Sequence, residues 1–363
     1  MTERFHILSE FAQGSSSRLA LRQLSSSLPR LTDGMKQLSG AEAAESVHFY
    51  AMADFSTSLN GFRARMGYPI GGVLTWGDGT VPVMPAGIGP NHCGMLVAEV
   101  GRLPDEKDLQ ERMSRMKENM PKVDGMVLQW DLGRKNHFLN VYRSDSGRLR
   151  VIMHCSLPEA RADNRWGFGH GLTESHILQQ MTTRVATRVG TGEFFVGDEA
   201  LRVRDQSALY ESLARRKREV LCNALFDDAV VLSNVNHMRM LDLNAIQLGC
   251  NAAFQPLRNV PLMVGPGRDA YLVDMAEPVA LCERSVFLAP HGTGARATVP
   301  GDVGFDPDSC RHVVRHEGRQ QYFDQLEEVF GDYNDPRHAL AQVARSGHHL
   351  RETLSPVIET KLM

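Results

Sequence analysis

Asn136-His137-Phe138-Leu139-Asn140-Val141-Tyr142-Arg143, then Ser144-Asp145-Ser146-Gly147, then Arg148-Leu149-Arg150-Val151-Ile152-Met153-His154 is the stretch on which the fold turns. Two runs rich in branched and aromatic residues flank a four-residue turn signal, which predicts a β-hairpin. With Asp145 and Ser146 at the loop tip, His137 and His154 stand directly across from each other, their Cβ atoms about 4.5–5.5 Å apart. One residue more or less in the loop would change that register. Two imidazoles so placed can serve one metal ion or two adjacent ones. The alternative is a pair of partly buried, hydrogen-bonded histidines.

Outward from the hairpin, strand-like and helix-like segments alternate. From Pro69 to Val100 short apolar runs are broken by glycine and proline, as in Gly71-Gly72-Val73-Leu74 and Ala86-Gly87-Ile88-Gly89-Pro90, which predicts strands joined by tight loops. Helical spacing of apolar residues marks Asp105 to Met120 and residues 207–227, where Leu209, Leu213, Val220, Leu221 and Leu225 recur; a third helix is expected from Gln320 to Phe330. Strand-like runs recur at 228–232, 260–264 and 285–289. The clusters Gly14-Ser15-Ser16-Ser17 and Ser25-Ser26-Ser27 suggest short helices and turns before residue 50. The class is mixed α/β, and residues 1–363 read as one domain.

The bulk properties narrow the functions. The 363 residues are 42% hydrophobic and 23% charged, the balance of a globular chain with a sizeable core. A formal net charge of -3 means that any nucleic-acid contact must come from a local basic patch. No apolar run approaches the roughly 18 residues of a membrane span, and the first residues lack a signal-peptide pattern. The six cysteines are scattered, which favours free thiols or metal ligands over a disulfide framework. The expected setting is cytoplasmic, without a membrane partner.

Three further clusters bear chemistry. Gly87-Ile88-Gly89-Pro90-Asn91-His92-Cys93-Gly94-Met95 folds the backbone tightly around a thiol, a soft metal ligand or else a buried structural cysteine. His237 closes Ser233-Asn234-Val235-Asn236-His237, after the apolar run Ala229-Val230-Val231-Leu232, where α/β enzymes place catalytic groups. In Val286-Phe287-Leu288-Ala289-Pro290-His291-Gly292-Thr293-Gly294-Ala295-Arg296, a strand delivers a histidine into a Gly-x-Gly turn whose N–H groups can cradle phosphate. Histidine is a competent nucleophile toward phosphorus once another group fixes its tautomer. The alternatives are a surface histidine in a polar turn for His237 and a plain strand-to-turn connection with an incidental histidine for His291. Two further groups have bland readings. Arg215-Arg216-Lys217-Arg218-Glu219 reads as a solvated helix face rather than a contact for RNA phosphates. His312 and His316, behind Cys310, have a zinc-like spacing but read as an ordinary surface helix.

Taken together and in order, these phrases resemble the RtcB family of RNA ligases. The resembling segments are Asp54 before Gly67-Tyr68-Pro69-Ile70-Gly71-Gly72-Val73, then Cys93-Gly94-Met95, Asn136-His137-Phe138 and His154-Cys155-Ser156. After them come His237, Gly265-Pro266-Gly267, His291-Gly292-Thr293-Gly294 and Lys361, so the likeness runs from about residue 50 to the end. It implies an RtcB-like fold, with central mixed or antiparallel sheets flanked by helices. It also implies a ligase that joins 2′,3′-cyclic-phosphate or 3′-phosphate RNA ends to 5′-hydroxyl ends. By the resemblance Cys93, His137, His154 and His237 are the ligands of one or two Mn²⁺ ions. His291 is guanylylated by GTP, and Asn136, Gly267, Gly292, Thr293, Gly294 and Lys361 hold the nucleotide. The expected enzyme is a monomer acting on RNA, with room for an activating protein partner.

The chain also departs from the family. Pro90 stands where the family has a metal-binding aspartate, with Asn91 and His92 as substitutes. Asn140 replaces a glutamate, and Arg161 is the stand-in for the arginine of a His-Ser-Gly-Ser-Arg phrase. A metal-dependent phosphoesterase and a catalytically silent RNA- or nucleotide-binding homologue are therefore the alternatives.

Overall fold

The computed structural model describes residues 4–360 apart from 135, 282–283, 307–308 and 310. The architecture is mixed α/β, as the sequence implies. Its spine is a seven-stranded antiparallel sheet in the order Val230–Asn236, Gly94–Val100, Leu149–Cys155, Phe138–Ser144, His349–Glu359, Ala270–Asp274, Val260–Leu262. Beside it lies a five-stranded sheet in the order Phe5–Ile7, Val47–Ser56, Ile70–Trp76, Ala245–Leu248, Met238–Asp242. A three-stranded sheet containing Cys250–Ala253 and Arg284–Pro290 adjoins both. No helix among the described residues is long and apolar enough to cross a membrane.

The hairpin forms, with its register one residue from the expected one. Phe138, not His137, pairs with His154, and Arg143 pairs with Leu149. Gly147 accounts for the shift. Its φ of 83° extends the loop to Asp145-Ser146-Gly147, and Ser144 and Arg148 close it through a 2.8 Å bond from Ser144 N–H to the Arg148 carbonyl. A left-handed residue in the third loop position is what this longer loop requires. His137 consequently sits just outside the strand.

Elsewhere the helices differ from expectation where packing overrides composition. The serine-rich N-terminal region is one 25-residue helix, Ser15–Ser39. Ala20, Leu24, Leu28, Leu31 and Met35 form its buried stripe in the core against the five-stranded sheet. Its serines do not break the helix: Ser25 and Ser26 donate back to the Arg22 and Gln23 carbonyls, and Ser27 Oγ donates to the Gly67 carbonyl at 2.7 Å. Helices Glu106–Glu118 and Asp198–Leu225 cover the seven-stranded sheet through Leu109, Met116, Leu221 and Leu225. The expected helix at 320–330 is instead strand Arg319–Phe323 followed by the short helix Leu326–Val329. His312 and His316 lie on strand Arg311–His316, not on a helix. Glu317 and Gly318, with φ of 49° and 76°, make the two-residue turn that pairs these strands.

The basic run on the long helix also needs correcting. Arg215 and Arg216 face outward, but Lys217 and Arg218 are fully buried. Arg218 Nε donates to Asn234 Oδ1 at 2.7 Å, and Lys217 Nζ donates to the Ser156 carbonyl at 3.0 Å and to Glu159 at 3.2 Å. These cations brace the loops around the site. They are not a solvated face.

Candidate metal centre and nucleophile

Register assembles the centre. Gly94 pairs with Cys155 on one side and with Asn236 on the other, so Cys93, His154 and His237 occupy the same end of three adjacent strands. His237 N–H donates to the Cys93 carbonyl at 2.9 Å, locking the two turns together. His137 joins from the fourth strand, next to the Phe138–His154 pair. A side chain at Gly94 would collide with the Val235 carbonyl at 2.4 Å, so the Cys-Gly sequence allows this close approach of strands.

Cys93, His137 and His154 converge on one point, and His237 abuts them through His154. Cys93 Sγ lies 2.9 Å from His154 Nε2 and 3.3 Å from His137 Nε2, and His154 Nε2 lies 3.1 Å from His237 Nε2. Donors around a tetrahedral ion with bond lengths of about 2.1–2.3 Å stand about 3.4–3.6 Å apart, so these separations need only a small expansion. The outer ring nitrogens fix two of the tautomers. His154 Nδ1 donates to the Asn136 carbonyl at 2.8 Å, and His137 Nδ1 faces Asp131 Oδ2 at 3.0 Å. Both Nε2 atoms thereby face the thiol, and that of His137 offers a lone pair to a metal once its proton is lost. A buried thiol beside imidazoles whose lone pairs converge fits a metal ion, and Cys93, His137 and His154 could hold one.

Charge in this pocket is set by the neighbours. Burial pushes the Cys93 thiol up, but His154, His137 and His237 more than reverse that, leaving it well below the ordinary thiol range. Burial pushes His137 down, and the Cys93 thiolate and Asp131 outweigh it, raising it to about 10. For His237 burial wins, and its ring is lowered to about 3 and is neutral. Without metal the centre therefore holds a thiolate–imidazolium pair. Asp131 is itself held by Lys217 Nζ at 3.3 Å and by Ser156 N–H at 2.9 Å. Nothing in the sequence singled out Asp131, because its partners lie 6, 25 and 86 positions away. Asp131→Asn is expected to weaken metal binding about 10–100-fold, the usual cost of losing a carboxylate behind a ligating histidine. Chelator competition measures it.

His291 completes the group. Its ring stacks obliquely on His237 with centroids 4.5 Å apart. Nδ1 lies 2.8 Å from Asp54 Oδ2, and the same oxygen accepts from the backbone N–H of His291 at 3.1 Å and of Gly292 at 3.3 Å. Asp54 is fully buried in strand Val47–Ser56, beside a register break between Ala51 and Ser56. Gly71, at φ 82°, lies against it; a Cβ there would be 2.4 Å from the Asp54 carbonyl. Gly71 thus lets this strand pass the aspartate, while Gly72 lets it pass the Tyr50 carbonyl, 2.4 Å from a Cβ there. Held this way, His291 carries its proton on Nδ1 and keeps the Nε2 lone pair free.

A cleft with about 880 Å³ of empty space, partly open to solvent, lies over His154 and His291. Asn136, Gly292, Thr293 and Gly294 line it. Gly267 stands just behind its wall, its N–H donating to Glu359 at 2.9 Å, while Glu359 and Tyr142 line the cleft. Lys361 lies outside the described residues. The substitutes for the family aspartate do not reach the centre. Asn91 Oδ1 accepts from Cys93 N–H at 3.1 Å, and fully buried His92 packs on His170 and Tyr210, with ring centroids 5.3 and 5.9 Å away. Asn140 hydrogen-bonds to Tyr142 Oη at 3.1 Å. Comparison with protein-family models and with curated proteins finds no match.

Proposed function

We propose that this chain is a metal-dependent RNA ligase, similar to RtcB-type enzymes, that joins 3′-phosphate or 2′,3′-cyclic-phosphate ends to 5′-hydroxyl ends through GMP on His291. The observation that carries the reading is the juxtaposition of the Asp54–His291 pair with the Cys93/His137/His154/His237 cluster, with His154 and His291 both lining one cleft. A hydrolase working through the metal alone has no use for a histidine so oriented.

His291 Nε2 attacks the α-phosphorus of GTP; the N–P bond forms, the bond to pyrophosphate breaks, and the Nδ1 proton stays on Asp54's side of the ring. The Gly292-Thr293-Gly294 turn offers backbone N–H groups to the phosphates. A 2′,3′-cyclic phosphate is first opened by water to the 3′-phosphate; an oxygen of the 3′-phosphate then takes the guanylate as the His291 N–P bond breaks, and the 5′-hydroxyl displaces GMP to form the phosphodiester. When bound, the metal stabilises negative charge on phosphoryl oxygens. Manganese is part of this proposal, although a thiolate with imidazoles suits zinc at least as well. The test is to incubate the protein with an RNA bearing one 3′-phosphate and one 5′-hydroxyl end, with GTP and either Mn²⁺ or Zn²⁺. Joined product that requires GTP is expected. Phosphate released without joining would replace the ligase by a phosphoesterase.

A further inference from the structure

Across the Cys93 loop lies a second cleft that shares no wall residue with the first. Arg63, Gly89, Asn91, Ser156, Arg161 and Glu174 are among its walls. Arg63 comes from the short helix Gly61–Met66 and is only 5% exposed. Its Nη2 donates to the Gly89 carbonyl at 3.1 Å, while its buried Nε has no partner. No carboxylate among the described residues forms an ion pair with it. Arg161, at the same cleft, is paired with Glu174 and half exposed.

A guanidinium buried without a counter-charge is costly, and structures keep such a group where something else supplies the charge. Burial, opposed by Cys93 and reinforced by Arg161, lowers Arg63 only to about 10, so it is cationic at neutral pH. His170, in the same wall, is lowered by burial to about 4 and adds no charge. Apart from the Cys93 thiolate, no anion among the described residues balances Arg63, so the cleft has a buried guanidinium in its wall and a second one, paired with Glu174, at its edge. That set matches the oxygens of a phosphate group.

We infer that the Arg63–Arg161 cleft is a binding site for a phosphate monoester. Under the ligase reading, on which this last identification rests, that ester is the 3′-terminal phosphate of the RNA. The RNA end and the nucleotide then approach the Cys93 centre from separate clefts.

Titration of the full-length protein with inorganic phosphate, followed by calorimetry, tests the site. Saturable binding is expected, weakened at least about tenfold in Arg63→Met, the loss of a charge-assisted fork. Thermal melting of Arg63→Met is expected to be unchanged or raised, since an unpaired buried charge is gone. A 3′-phosphorylated dinucleotide should compete with phosphate, and its 3′-hydroxyl counterpart should not. No saturable phosphate binding, or equal binding by the variant, overturns the inference; failure of the 3′-phosphorylated dinucleotide to compete overturns the assignment to an ester. If Arg63→Met does not fold, exposed Arg161→Gln decides by the same criterion. Phosphate binding in a protein that never forms GMP-histidine would sink the ligase reading and leave this site standing; the reverse result would sink only the site.

Discussion

Cys93→Ser is expected to lower metal affinity by more than the roughly 10–100-fold that a change behind the ligands costs. The thiolate is the one anionic donor at the centre, and it touches both His154 and His137. It also holds the proton on His137, raised to about 10 in the metal-free protein. A metal must take the His137 Nε2 lone pair, so below that value binding must expel this proton. Affinity should accordingly rise with pH from about 7 to 9, with about one proton released per ion. Calorimetry in buffers of different ionisation heats counts the protons. In Cys93→Ser the count should fall, because the main group raising His137 is gone. An affinity independent of pH in the wild type would contradict the thiolate–imidazolium pair.

The second large effect is expected for Asp54→Asn. Asp54 Oδ2 accepts from His291 Nδ1 and two backbone N–H groups. An amide there can turn its NH₂ toward Nδ1, which would move the ring proton to Nε2 and remove the nucleophilic lone pair. By analogy with carboxylate-to-amide changes behind a catalytic histidine, the rate of GMP–protein formation should fall about 10³–10⁴-fold. Circular dichroism should show an intact fold. An unchanged rate would mean that Asp54 only supports the backbone turn.

The hairpin at 136–154 was legible because its two runs and turn are contiguous; its register was missed by one residue because Gly147 was not read as a left-handed loop position. The N-terminal helix hid behind its serines: Ser25 and Ser26 bond back to carbonyls of the helix, and Ser27 bonds to a distant loop at Gly67, which no local pattern reveals. Cys93, His137, His154, His237 and His291 were picked out one by one, and the sheet register brings them together. The groups that act through them were not. Asp131, Lys217 and Arg63 work from the far ends of long sequence separations, and Lys217 and Arg63 sit among other arginines and lysines that look like solvent-facing charge. Asp54 stood in the sequence only as a landmark, although its carboxylate orients His291, the proposed nucleophile.

Incubation of the protein with α-phosphate-labelled GTP and Mn²⁺ tests the central claim most directly. Acid-labile label on the wild-type chain, absent from His291→Ala, is the predicted result. Label that persists in His291→Ala, or wild-type protein that joins RNA ends while never taking up label, would contradict it.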